Sequence, residues 1–287
     1  MPASPTPASP AIHRTVDDLR AALAAWRREG LRIALVPTMG ALHEGHLDLV
    51  RAARERADRV VVSIFVNPTQ FGPKEDFGSY PRTEASDVEK LAALGVEAIF
   101  APNAAEMYPE GFATTISMVG PALGLETDFR PHFFTGVATV VGKLLIAVMP
   151  DIAVFGEKDY QQLMVVRRLA RDLRLPTEIV GLPTVREADG LALSSRNAYL
   201  SAEERRLATT IARVMRETAE AIRAGGTVEP ALAEGRAALD AAGFRVDYLV
   251  LRNAETLAEL TDPANEPRRM LAAAWLGKTR LIDNIAV

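Results

Sequence analysis

The 287-residue chain contains no cysteine, which excludes disulfides and thiolate metal sites and gives it no redox stake in an oxidising compartment. A reducing cytoplasm is the expected setting. It also lacks an apolar run long enough to span a bilayer: the longest such stretch, residues 137–149, carries Lys143, stops at Pro150 and reads as a buried helix. Charge of either sign is nearly balanced. With 33 basic and 37 acidic residues the net charge is -4, so no global field draws the chain to nucleic acid or to an anionic membrane. Any basic group that binds phosphate must act locally. What is present is an ordinary globular composition, 48% hydrophobic and 24% charged, and a length that suits one large domain or two of ordinary size. Two is the expectation taken here.

The first eleven residues, MPASPTPASPA, have neither a basic nor an apolar region of the kind a signal peptide carries, and residues 1–14 read as a flexible tail. From Thr15 the pattern alternates between helical and strand periodicity. Thr15 and Asp18 resemble a capping box that opens a helix to Gly30. Apolar runs at 31–37, 59–66, 96–100, 151–155 and 177–182 have strand length, and helices are predicted at 45–57, 83–94, 135–149 and 159–173. Five strands alternating with helices predict a Rossmann-like, doubly wound parallel sheet over residues 15–184. After Pro183 the character changes. Ser201 and Glu204 cap a long helix, a second is expected at 229–242, and strands at 244–251, 269–276 and 279–282 suggest a smaller α+β lid domain over 185–287.

Ligands of open α/β sheets bind at the carboxyl ends of the strands, so the segment after the first strand, PTMGALHEGH at 37–46, carries the most weight. Gly40 permits a turn that other residues resist, Gly45 allows close approach to the main chain, and a helix start offers unpaired N–H groups to a polyphosphate. His43 and His46, two of only four histidines, are three apart and share one face of that helix start. They can donate hydrogen bonds to phosphate as charge builds on a leaving group. A structural pair is the plain alternative. A zinc site is the other, but it needs a third ligand, and Glu44 points elsewhere.

A second segment, FGEKDYQQL at 155–163, delivers Lys158 to a strand end, with Asp159 suited to capping the next helix and one of Gln161 and Gln162 facing a polar substrate. A third, LALSSRNAYLS at 191–201, sets two hydroxyls beside Arg196 as an anion clamp, or is a plain polar loop. In the fourth, FVNPTQF at 65–71, Asn67 and Gln70 can bind an uncharged polar group.

With YPRT at 80–83, PTVREADG at 183–190 and the closing TRLIDNIAV, these blocks stand in the order in which they occur in the pantothenate synthetase family, which the chain resembles closely. The histidine turn also resembles the HxGH motif of a wider nucleotidyltransferase superfamily. The resemblance implies an ATP-dependent ligase that joins pantoate to β-alanine through pantoyl adenylate, with Mg²⁺ as the phosphate partner and a homodimeric assembly. Carried over residue by residue, it assigns ATP contacts to Met39, Gly40, Ala41, Leu42, His43, Glu44, Gly45 and His46, to Gly156, Glu157, Lys158 and Asp159, to Val185, and to Leu193, Ser194, Ser195 and Arg196. His43, His46, Lys158 and Arg196 become a collective electrostatic clamp, with His46 as the proton donor. Gln70 and Gln162 are implied for pantoate, Gln70 also near β-alanine, and no metal is assigned to protein ligands. Arg130 and Lys143 fit their family positions. Two departures stand out: Leu193 replaces a methionine, and in FRPHFFTGV Phe133 occupies the family's histidine position, with His132 one residue early. A nucleotidyltransferase that stops after adenylyl transfer, and a non-catalytic nucleotide sensor, are the competing readings.

Overall fold

The structure is a computed structural model that describes residues 9–72, 75 and 77–287. In chain order its elements are β1 (Ala11–His13), α1 (Val16–Arg28), β2 (Ile33–Thr38), α2 (Glu44–Arg54), β3 (Arg59–Ile64), α3 (Glu84–Ala93), β4 (Ala98–Phe100), α4 (Ala104–Met107), α5 (Glu126–Phe129), α6 (Phe133–Val148), β5 (Ile152–Gly156), α7 (Tyr160–Asp172), β6 (Glu178–Leu182), α8 (Ala202–Arg223), α9 (Val228–Ala241), β7 (Arg245–Asn253), β8 (Arg268–Leu276) and β9 (Thr279–Ala286). Short 3-10 turns lie at Pro68–Gln70, Glu157–Asp159 and Ser195–Tyr199. The chain divides into two compact units. One holds everything described up to Met118 together with Arg130–Gly156 and Val165–Leu182; the other holds Val119–Phe129, Glu157–Met164 and Pro183–Val287.

The first unit is built on a six-stranded sheet in the order β1-β4-β3-β2-β5-β6, every pairing parallel. This is the predicted α/β class, with one strand more than the sequence reading supplies. Ala11–His13, which that reading leaves in the tail, pairs with β4 as an edge strand. Strands β2 and β5 are buried along nearly their whole length, as a parallel sheet covered by helices requires, and Val36, Val62, Ile99 and Val154 share one core. Helix α1 starts where expected: the Thr15 hydroxyl accepts from the Asp18 amide at 3.2 Å, acidic residues fill the first turn and Arg27 and Arg28 the last.

The second unit contains an antiparallel sheet, β7-β8-β9, against which α8 and α9 bury Met215, Ile211, Leu239, Leu249 and Met270. Ser201 and Glu204 form the expected capping box at the start of α8, with Ser201 N–H donating to Glu204 at 2.8 Å and the Glu204 amide to the Ser201 hydroxyl at 3.2 Å. Residues 119–129 and 157–164, which the sequence reading assigns to the first domain, group with this unit. Segment 119–129 is fastened by a buried carboxylate. Glu126 accepts from Arg280 at 2.7 and 2.9 Å and from the Tyr248 hydroxyl at 2.7 Å, and the pairing offsets the cost of removing the charge from water.

Candidate active site

Strand β2 ends at Thr38, whose hydroxyl donates to the Ser63 carbonyl at 2.7 Å and accepts from the Gly40 amide at 3.2 Å. The chain then reverses through two left-handed residues, Gly40 at φ +81° and Ala41 at φ 50°. Gly40 is required twice over, because a Cβ there would also meet Ile64 at 3.1 Å and Asp87 at 3.2 Å. For Ala41 the same region of conformational space costs about 1 kcal/mol or more, and something must hold it there. That group is Asp87. Fully buried on α3, its carboxylate accepts from the amides of Ala41 at 2.9 Å and Leu42 at 2.8 Å and from the Thr83 hydroxyl at 3.1 Å. Lys90, one turn further on, donates to the Leu42 carbonyl at 2.7 Å.

So anchored, the loop delivers His43 as the N-cap of α2, with φ -123° and ψ 175°. The His43 amide donates to His46 Nδ1 at 3.4 Å, and the two rings lie 4.1 Å apart at 31°. With Nδ1 accepting, the neutral His46 ring carries its proton on Nε2, which makes that nitrogen a donor. Glu44 is exposed and paired with Arg51 at 2.6 Å.

Gln70 closes the 3-10 turn that follows β3. Its Nε2 donates to Met39 Sδ at 3.1 Å, which joins the turn to the histidine loop, and its Oε1 accepts from Asn67 Nδ2 at 3.2 Å. Asn67, expected as a ligand-binding amide, is instead buried scaffolding: its Oδ1 accepts from Tyr108 at 2.7 Å and from the Thr69 hydroxyl at 2.9 Å, and its Nδ2 also reaches the Gly136 carbonyl at 3.3 Å. Burial raises the Tyr108 phenol above its ordinary pKa, partly offset by its hydrogen bond with Thr69. Lys143 on α6 lies over the rings of Phe112 at 4.6 Å and Tyr108 at 5.9 Å.

In the second unit, Glu157, Lys158 and Asp159 form a 3-10 turn directly after Gly156, the last residue of β5. Lys158 Nζ lies 3.7 Å from Asp159, Glu157 pairs with Arg269 at 3.0 Å, and the Tyr160 hydroxyl donates to the Ala254 carbonyl at 2.8 Å. Of the two glutamines that follow, Gln161 is buried and committed internally. It accepts from the Glu126 amide at 3.1 Å and donates to the carbonyls of Pro121 at 3.0 Å and Gly124 at 3.1 Å. Gln162 is the half-buried one. Val185 and Leu193 face each other across a hairpin, with Leu193 N–H donating to Val185 at 3.0 Å. Ser194 then caps a 3-10 turn that carries Ser195 and Arg196, and Asn197 ties this turn back to Ala192 at 3.1 Å and Glu187 at 3.2 Å.

The predicted residues thus divide between the two units: Met39 to His46, Gln70 and Gly156 belong to the first, and Glu157 to Asp159, Gln162, Val185 and Leu193 to Arg196 to the second. Asp87 escapes the sequence reading. Its signal is a carboxylate on the buried stripe of α3, four residues before Leu91 and four after Thr83.

A parallel sheet whose carboxyl edge opens into a histidine-capped helix is the architecture of an α/β enzyme that works at its strand ends. Residues 11–286 match the family described as pantoate-beta-alanine ligase, and the chain belongs to that family. Among curated relatives, it is 59% identical to a pantothenate synthetase of Rhodopseudomonas palustris, the alignment covering 97% of this chain and 99% of that one, and 58% identical to one of Caulobacter vibrioides over 97% and 99%. Among solved structures, it is similar to the pantothenate synthetase of Thermus thermophilus, with TM-score 0.90 and 50% identity over 96% of this chain and 98% of that one. A pantoate-beta-alanine ligase of Francisella tularensis, solved with Beta-gamma ATP and Beta-alanine, aligns with TM-score 0.82 and 34% identity over 96% and 97%.

Proposed function

We propose that the protein joins pantoate to β-alanine in two steps driven by ATP. In the first, a pantoate carboxylate oxygen bonds to the α-phosphorus and pyrophosphate leaves. In the second, the β-alanine amine bonds to the acyl carbon of pantoyl adenylate, loses a proton and expels AMP. Family membership supports the overall reaction, and the relative solved with an ATP compound and β-alanine supports the substrate classes. The observation that carries the reading is the histidine pair at the start of α2, held by Asp87.

Phosphoryl chemistry demands alignment and charge stabilisation more than covalent help from the protein. The α2 N-terminus and the Nε2–H of His46 suit phosphate oxygens, and His43, Lys158 and Arg196 complete the clamp, with His46 the proton donor. Met39 to His46, Gly156 to Asp159, Val185 and Leu193 to Arg196 are the proposed ATP segments. Gln70 and Gln162 bind pantoate, Gln70 lying next to β-alanine. Mg²⁺ would accompany ATP as the partner of its phosphates and would supply charge neutralisation there. The unit built on the parallel sheet is assigned to the histidine turn and Gln70, and the unit that holds Glu157–Met164 and Pro183–Val287 to Lys158, Gln162 and the Arg196 segment and to a lid role, in a cytoplasmic homodimer whose stoichiometry sedimentation would establish.

The test is a pair of product assays. Pyrophosphate release should require ATP and pantoate alone, and AMP release should require β-alanine as well. His46→Ala should slow pyrophosphate release by about 10² or more. AMP formation indifferent to pantoate would refute the reaction, and an unaffected His46→Ala enzyme would refute the role of that residue.

A further inference from the structure

The closing block of the sequence, TRLIDNIAV, lies in β9 and supplies none of the residues assigned to substrates above. Two of its side chains are nevertheless buried and polar: Asp283 and Asn284 are each 3% exposed. A buried carboxylate and a buried amide are retained only where their bonds are made, so what they hold identifies their role.

Asn284 Nδ2 donates to the carbonyl of Glu157 at 2.8 Å and to that of Lys158 at 2.9 Å, one N–H for each. Its orientation is set from the other end, where Oδ1 accepts from Arg269 Nε at 2.7 Å. Arg269 also donates to the Glu157 carboxylate at 3.0 Å and lies 4.0 Å over the Tyr160 ring. Asp283 takes the other segment. It accepts a bidentate pair from Arg186 at 2.7 and 2.8 Å, and this raises the Arg186 pKa. Arg186 is the hairpin residue next to Val185; it pairs with Ala192 across the hairpin, donates to Gly190 at 3.0 Å and reaches the Asn284 carbonyl at 3.3 Å. Asp283 further accepts from the Asn284 amide at 2.7 Å, which stiffens the junction between the two arms. Adjacent strand residues project to opposite sides, so one strand serves two segments. Strand β9 is itself fixed by its pairing with β8, where Ala272 faces Asp283 and Leu271 faces Asn284.

We propose that Asp283 and Asn284 are positioning residues for the first half-reaction: together they hold the Lys158 turn and the Val185–Leu193 hairpin, from which Ser194 to Arg196 extend, in fixed register to one another. The inference rests on the reading that Lys158 and Arg196 stabilise the phosphates. Neither Asp283 nor Asn284 touches substrate in this scheme. They act through the backbone of one cation-bearing turn and the guanidinium root of the other.

The experiment is a double-mutant cycle on the full-length protein, read as kcat and KM for pantoate-dependent pyrophosphate release. Asn284→Ser keeps one donor and removes the geometry that reaches both carbonyls. It should lower kcat about 10-fold or more while changing the β-alanine KM of the complete reaction less than about 2-fold. Combined with Lys158→Ala, it should add little further loss, because a lysine that is gone cannot be misplaced. If Asn284→Ser does not fold, Asp283→Asn combined with Arg196→Ala runs the same cycle through the other arm. Losses that multiply, or single variants with wild-type kcat, would overturn the proposal. A wild-type protein without pantoate-dependent pyrophosphate release would instead overturn the proposed function, so the two failures are distinct.

Discussion

Replacing Gly136 by alanine tests whether Gln70 is positioned by close contact with α6. In an open helix this change stabilises by up to about 1 kcal/mol. Here the new Cβ would lie 2.5 Å from the Thr69 carbonyl oxygen, 2.7 Å from its carbon and 2.9 Å from Gln70 Cα. All three are main-chain atoms, so no side-chain rotation relieves the overlap. The helix and the Pro68–Gln70 turn must separate by roughly 1 Å to regain ordinary contact. Overpacking of this kind costs about 1 to 3 kcal/mol, which outweighs the helical gain and leaves a net loss on the order of 1 to 2 kcal/mol. The same retreat stretches the bond from Asn67 to the Gly136 carbonyl and shifts Gln70 relative to Met39. Thermal denaturation should therefore show a midpoint a few degrees lower, and pyrophosphate-release kinetics a pantoate KM raised about 10-fold or more. A variant as stable as wild type with an unaltered pantoate KM would refute the reasoning.

Other perturbations probe separate links. Asp87→Asn turns an acceptor of the Ala41 and Leu42 amides into a donor; leaving one amide buried and unpaired should cost about 1 to 3 kcal/mol and lower the rate of pyrophosphate release at least about 10-fold, and a wild-type rate would rule out the anchoring role. The Glu266 carboxyl is held at about 2 by the Asp262 amide, then by Asn253 and Thr261. Because this lies below the ordinary value of 4.5, its contribution is present above about 4.5 and is lost as pH falls towards 2, so the midpoint difference between wild type and Glu266→Gln should shrink over that window; a constant difference would contradict it. Burial, then the Glu126 charge, raises the Tyr248 phenol well above 10, so its contribution holds below pH 10 and is lost as pH rises beyond it. Spectrophotometric titration of the native protein should accordingly count fewer than its five tyrosines.

The parallel sheet was legible because burial on both faces leaves continuous β-branched runs, as in Arg59–Ile64, and because Thr15 and Ser201 announce their helices through hydroxyl caps. Ala11–His13 was not: three residues, partly exposed and preceded by a Pro- and Ser-rich stretch, carry no periodicity. The histidine turn was legible from Gly40 and from histidine spacing, both of which are local. What supports it is not. Asp87 lies 45 and 46 residues beyond the amides it accepts from, and Glu126 lies 154 residues before the arginine it pairs with. The choice between adjacent amides was equally out of reach of sequence. That Gln161 is taken up by Glu126, Pro121 and Gly124 depends on a segment whose docking no local pattern announces.

Phe133 shows how a departure from family pattern can be absorbed by its surroundings. Its ring lies 3.8 Å from the guanidinium carbon of Arg130, which also makes two bonds of 2.7 Å to Glu75 and donates to the Gln70 carbonyl at 3.2 Å. A guanidinium at that distance from an aromatic face is held by the ring quadrupole, and Arg130 is only 15% exposed, so water competes weakly for it. Phe133 therefore acts on Arg130, and Arg130 on the main chain of the residue proposed to bind pantoate. His132, one residue earlier, is the N-cap of α6, with backbone in the right-handed helical region. What Phe133 meets is Arg130, and Arg130 in turn holds the Gln70 carbonyl.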